Sequence, residues 1–222
     1  MQYGSVTRGV FLARLNRFAA RVSVGGSEET VHVKNTGRCR ELFLEGAEVW
    51  LERSGNPARK TAWDLIAVRK PGGMLVNVDS QAPNAVAREW LAGQGFTRTV
   101  PEYAYGSSRL DFYMERGDAR YLLEVKGCTL ERGGVGWFPD APTERGVKHL
   151  RELTRAAGEG YRAAVAFVIQ MDGVREVRPN AETHAAFAQA LREARDAGVR
   201  VLFLPCHVEP DSLTVCDAIW QV

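Results

Sequence analysis

The hydropathy pattern changes character once along the chain, near residue 80. Before it, short runs rich in β-branched and aromatic residues at 22–24, 30–33, 47–51, 62–68 and 74–78 alternate with turn formers such as Gly25-Gly26, Pro57 and Gly72-Gly73. Five or so strands in this span predict an OB-fold-like β-barrel over 1–80, a shape that serves many ligands. After Pro83 the periods lengthen. Asn84 is expected to cap a helix over 85–92 that stops at Gly93. Strands follow at 98–105, 108–115 and 120–129. A helix over 143–157 comes next, with Val147, Leu150, Leu153 and Ala157 at core spacing. The near-continuous apolar run at 161–170 reads as a buried strand. A helix at 183–197, with Phe187, Ala190, Leu191 and Ala194 on one face, precedes a last strand at 200–205. Residues 81–222 therefore form a second, α/β domain, and the whole chain is α+β.

Composition narrows the class. The 222 residues are 45% apolar and 25% charged, which suits a globular protein with a core and excludes a collagen-like or disordered chain. The longest apolar runs, such as 163–169, fall far short of the ~20 residues a bilayer crossing needs. The first residues carry no basic lead into an apolar block, so a cytoplasmic protein with no membrane partner is expected. Cys39, Cys128, Cys206 and Cys216 lack C-x-x-C spacing and read as buried thiols. The group Cys206, His207 and Cys216 matches no zinc spacing.

The net charge of +2 conceals an asymmetry. Residues 1–80 carry 12 basic against 8 acidic side chains, and Arg8, Arg14, Arg17 and Arg21 all precede the first acid, Glu28. Arginine outnumbers lysine 24 to 5, which suits bidentate phosphate contacts; a GC-rich genome gives the same excess. The clustered N-terminal arginines fit a nucleic-acid surface or a solvated face.

Candidate chemistry lies in the second domain. If Gly117-Asp118 is a two-residue hairpin turn, glycine first, Asp111 falls opposite Glu124, with Leu110, Phe112 and Met114 sharing the other face. Opposed carboxylates are unfavourable unless compensated. Lys126 on the same face supplies one compensation, and a divalent cation, Mg²⁺ or Mn²⁺, would supply the other. The bland alternative is a surface ion pair. An Asp on one strand and Glu-x-Lys on the next, between helices, resembles the PD-(D/E)xK nuclease superfamily. That resemblance suggests a third metal-binding carboxylate from the first helix, Glu89, with Glu102 as its rival. Thr143 as N-cap leaves free N–H groups for an anion, with Arg145, Lys148 and His149 close by. Asp140 and Glu144 are additional ligand candidates, or simply cap and salt-bridge residues.

The run Gly106-Ser-Ser-Arg-Leu-Asp-Phe112, then Leu123-Glu-Val-Lys-Gly127, then Phe138-Pro-Asp-Ala-Pro-Thr-Glu-Arg-Gly146 resembles the sugar fermentation stimulation protein A family. So do Leu15-Asn-Arg-Phe18 and Val31-His-Val-Lys-Asn-Thr-Gly-Arg38 in the first half. The resemblance implies an OB-like barrel followed by a PD-(D/E)xK-like domain, and a DNA-binding protein with a part in regulating sugar metabolism, notably maltose genes. Its nuclease-like motif falls on Asp111, Glu124 and Lys126. Arg14, Arg17, Lys34, Asn35, Arg38, Arg145 and Lys148 are the nucleic-acid-binding candidates. Lys34 stands where the family usually has Pro, and His184 about where it has Asp. Two readings stay open: a metal-dependent endo- or exonuclease acting on DNA or RNA, and a non-catalytic DNA-binding regulator on a nuclease-like fold.

Overall fold

The computed structural model describes residues 1–35, 37 and 39–221. Strands β1 (Val6–Arg14), β2 (Ala19–Val24), β3 (Ser27–Val33), β4 (Glu48–Arg53) and β5 (Trp63–Arg69) join in the order β3-β2-β1-β4-β5. A parallel pairing of β3 with β5, His32 with Asp64 and Val33 with Leu65, closes the ring. The barrel thus has five strands, though not the expected five. The 74–78 run gives β6 (Leu75–Asn77), which hangs on β5 outside the ring. Its place is taken by β1, whose alternation is broken by Gly9. A Cβ at Gly9 would lie 2.7 Å from a methyl of Val22, so the glycine lets the strands close on one another.

The second half opens with α1 (Ala82–Ala92), which starts earlier than expected: Gln81 is the N-cap, Pro83 lies in the first turn, and Asn84 lies inside the helix. Then come β7 (Arg98–Tyr105), β8 (Ser108–Arg116), β9 (Ala119–Cys128), and a hairpin of β10 (Leu130–Arg132) with β11 (Val135–Phe138). Helix α2 (Glu144–Gly158) has Thr143 as N-cap, its hydroxyl accepting from the Gly146 N–H at 3.0 Å. The chain continues through β12 (Arg162–Ile169), β13 (Val177–Pro179), α3 (Ala181–Asp196), β14 (Arg200–Glu209), β15 (Ser212–Val215) and β16 (Ile219–Gln221).

The main sheet runs β15-β14-β12-β9-β8-β7, with β16 also on β14. Strands β9, β12 and β14 are parallel, joined by the α2 and α3 crossovers, and the flanking strands are antiparallel. One apolar cluster runs from the barrel interior (Phe11, Leu65) to Leu122, Leu150 and Phe187 beneath α2 and α3. The other packs α1 (Val86, Leu91) on Phe112 and Leu123. The helices therefore cover opposite faces and leave β9 central. Gln170 binds the two halves together, donating to the Asn77 carbonyl and side-chain oxygens and to the Asp79 carbonyl. No helix among the described residues is long and apolar enough to cross a membrane.

Candidate active site

The β8–β9 hairpin turns at Gly117-Asp118, with Gly117 at φ 55°. Pairs run from Arg116 with Ala119 to Phe112 with Leu123. One more step of this register would set Asp111 against Glu124, but the ladder stops there. The Asp111 carboxylate instead accepts the Val125 N–H at 2.7 Å. On the other edge, β7 pairs with β8 on both sides of Glu102 but not at it, and Glu102 has φ 53°. A non-glycine residue in the left-handed region is strained, and such strain clusters at functional sites. The break shifts the alternation. Leu110 packs in the cluster that holds Tyr113 and Leu122, while Phe112 and Met114 belong to the other. Strict alternation had put all three apolar residues on one face.

Glu124 is 2% exposed. Its Oε1 accepts from Lys126 Nζ and from His149 on α2. Its Oε2 is buried with no hydrogen-bond partner. Arg145 Nε donates to His149 Nε2 at 3.3 Å, a pattern that assigns the ring proton to Nδ1, the atom facing Glu124. Burial pushes the Glu124 carboxyl up, but the hydrogen bond from His149 and the charge of Lys126 outweigh it and hold it below the usual range. Asp111 goes the other way. Burial first, and the Glu124 charge second, raise it against the Val125 N–H, Asn84 and Lys126. Two neighbouring carboxyls with affinities pushed apart are a common mark of an acid–base or metal site.

From α1 it is Asn84 that reaches the pair, donating to Asp111 Oδ1 at 2.8 Å. Glu89 does not. Five residues on, it is turned roughly 140° around the helix and binds the Met1 ammonium at 2.7 Å on an exposed face. Glu102 is not paired in the ladder, and its carboxylate lies 3.8 Å from Arg109. Among the described residues no group of three His, Cys, Asp or Glu is placed to hold a metal, at Asp111 and Glu124 or around Cys206, where His207 binds Asp172.

Three clefts adjoin one another beside the carboxylates, which do not themselves line them: His149 opens on one, Asn84 and Val125 on the next, and the third continues from that one. One of about 600 Å³ holds Arg109, Arg145, Lys148 and Arg151. Another, of about 550 Å³, lies between barrel and sheet, lined by Arg17, Asn35, Asn84, Val125, Asp140 and Arg145. A third, of about 600 Å³, has Arg14, Arg17, Arg40 and Phe43. Arg145 and Arg17 are shared between neighbouring clefts. Lys148 also donates to the Ser107 carbonyl at 2.8 Å. Glu144 binds His184 at 3.1 Å, and the other His184 nitrogen accepts the Thr143 N–H, so this histidine serves the start of α2.

Two basic candidates also make structural contacts. Lys34 lies 2.7 Å from the buried Asp79, so its charge is neutralised at the seam between the halves. Arg14 donates to the carbonyls of Asn16, Arg17 and Asn35 and stacks over Phe43. Asn35 lines the central cleft and also fixes its own loop through the Val78 carbonyl and the Gly37 N–H. Arg38 lies outside the described residues. Asn84, Arg40, Arg109 and Arg151 enter the site without having been singled out in the sequence. Asn84 carried no signal, being read as a cap.

The fold and site define an α+β protein that couples an OB-type barrel to a mixed sheet opened around a buried carboxylate. Family models described as "SfsA N-terminal OB domain" and "Sugar fermentation stimulation protein RE domain" match residues 12–78 and 81–212. The chain belongs to the sugar fermentation stimulation protein (SfsA) family. The sugar fermentation stimulation protein homolog of Desulfitobacterium hafniense (strain DSM 10664 / DCB-2) is 50% identical over 222 residues, covering 99% of this chain and 97% of that one. The homolog of Clostridium beijerinckii is 46% identical over 223 residues, covering 99% and 98%. The solved structure of Pyrococcus furiosus SfsA in complex with Ca²⁺ is similar at a TM-score of 0.85 and 26% identity, covering 100% of this chain and 95% of that one.

Proposed function

We propose that this protein binds nucleic acid along the three joined clefts and hydrolyses its phosphodiester bonds at Asp111 and Glu124 with a divalent cation. The observation that carries the reading is Glu124 Oε2, a buried carboxylate oxygen without a partner beside a second carboxylate. The Glu124 charge is paired with Lys126 through Oε1, but leaving the second oxygen buried without a partner is costly, and Mg²⁺ or Mn²⁺ would offset that cost. Hard oxygen donors fit such a cation, and a relative is described with Ca²⁺, of the same class. When bound, the cation polarises a phosphoryl oxygen and makes its water more acidic.

The chain's own residues do the rest. Asp111 and Glu124 hold the cation. His149 and Lys126 fix the Glu124 carboxylate, and Lys126 brings a positive charge to the place where charge develops on phosphate. Arg145, Lys148 and the α2 N-terminus hold flanking phosphates. The second reading, a non-catalytic DNA-binding regulator of sugar (maltose) metabolism genes, is favoured by the lack of a third ligand at the pair among the described residues. Labelled single-stranded, duplex and branched DNA and RNA, incubated with Mg²⁺, Mn²⁺ or EDTA, separate the two. Cation-dependent cutting lost in Asp111→Asn and Glu124→Gln supports hydrolysis, and product lengths distinguish endo- from exonuclease action. Binding without cutting supports the regulator.

A further inference from the structure

A separate recess of about 500 Å³ lies where β9, β12 and β14 begin and the three helices end, and it shares no lining residue with the clefts above. It exists because small residues stand where larger ones would fill the space: Ala157 near the end of α2, Ala163 and Ala164 on β12, and Ala197-Gly198 after α3. Interiors are otherwise close-packed, and the size is that of a small-ligand pocket. Buried Leu122, Leu123 and Leu202 add an apolar floor.

Its walls are aromatic faces and arginines, with no acidic lining residue. Arg116 lies 4.5 Å over the Phe96 ring, Arg162 5.4 Å over Tyr121, and Arg200 3.9 Å over Trp220. The hydrogen bonds of Arg116 and Arg162 go to neutral groups, the Gln94 carbonyl and the Tyr121 hydroxyl. The three helix ends bring roughly half a negative charge each. Three arginines exceed that, so the mouth stays positive.

We infer that this recess binds a mononucleotide, its base against the aromatic wall and its phosphate on Arg116 and Arg162. An apolar floor and a wall of rings with guanidinium planes stacked on them suit a flat heterocycle, and the forked edges of those guanidiniums suit phosphate oxygens. The site is independent of whether the carboxylate pair hydrolyses anything.

The test is calorimetric titration of the full chain with AMP, adenosine and inorganic phosphate, repeated on Arg162→Ala, Arg116→Ala and Ala157→Phe. The last fills the recess without touching an arginine, and unfolding curves confirm that each variant folds. AMP is expected to bind more tightly than adenosine or phosphate, and each variant to weaken it about tenfold or more. Absence of AMP binding overturns the inference. So does binding unchanged in all three variants, binding lost in Asp111→Asn, or a dimer in ultracentrifugation that AMP does not affect and Arg162→Ala dissolves.

Discussion

His149 donates a hydrogen bond to the same oxygen of Glu124 that Lys126 holds, and this leaves the other carboxylate oxygen buried and unpaired. Arg145 fixes the imidazole from behind. The relationship makes His149 a positioning residue. His149→Phe removes a donor to a buried carboxylate and should cost about 1.5–3 kcal/mol in urea unfolding. His149→Asn, which can present an N–H near the position of Nδ1, should recover part of that stability and of Mn²⁺ binding. A smaller loss in His149→Phe than in His149→Asn would show that the ring acts only by filling space.

The two carboxyls should respond oppositely to pH. Asp111 is raised above the ordinary 3.8, so its protonated form favours the fold; that contribution is present below 3.8 and lost as pH rises through the folded value. Asp111→Asn should therefore be more stable than the parent at pH 7, with the gain vanishing toward pH 4. Glu124 is held below the ordinary 4.5. Its contribution is present above 4.5 and lost as pH falls through the folded value, so Glu124→Gln should be less stable at pH 7. Unfolding midpoints across this range check both signs.

Lys34 and Asp79 form the charged seam between barrel and sheet, Asp79 being 1% exposed. Lys34→Ala strands that carboxylate and should cost roughly 3 kcal/mol of stability. Oligonucleotide affinity of the folded variant should be unchanged. The double variant Lys34→Ala with Asp79→Asn should regain part of the loss.

Arg40 and Arg151 line the outer clefts. Substituting either with Ala should weaken oligonucleotide binding across all sequences and reduce the salt slope by about one. Arg14→Ala should act chiefly through stability, since that side chain fastens three carbonyls.

What was legible in the sequence follows from local geometry. A two-residue turn and a period of two fix strand register, so the spacing of Asp111 and Glu124 about Gly117-Asp118 was readable. The left-handed Glu102 and the broken ladder beside Asp111 were not, because no turn residue announces them. Periodicity located α1 but not which polar residue would meet the sheet, and Asn84 rather than Glu89 does so. The charges of Lys34 and Arg14 were plain, but their partners come from loops distant in sequence. Strand β1 was hidden by the glycine that its close packing requires.

The central claim is that Asp111 and Glu124 form one divalent-cation site. Calorimetric titration of Mn²⁺ into the protein and into Glu124→Gln tests it most directly. One cation per chain, displaced by Mg²⁺ and lost in the variant, is the expected result. Undetectable binding to the parent, or equal binding to both proteins, would contradict it.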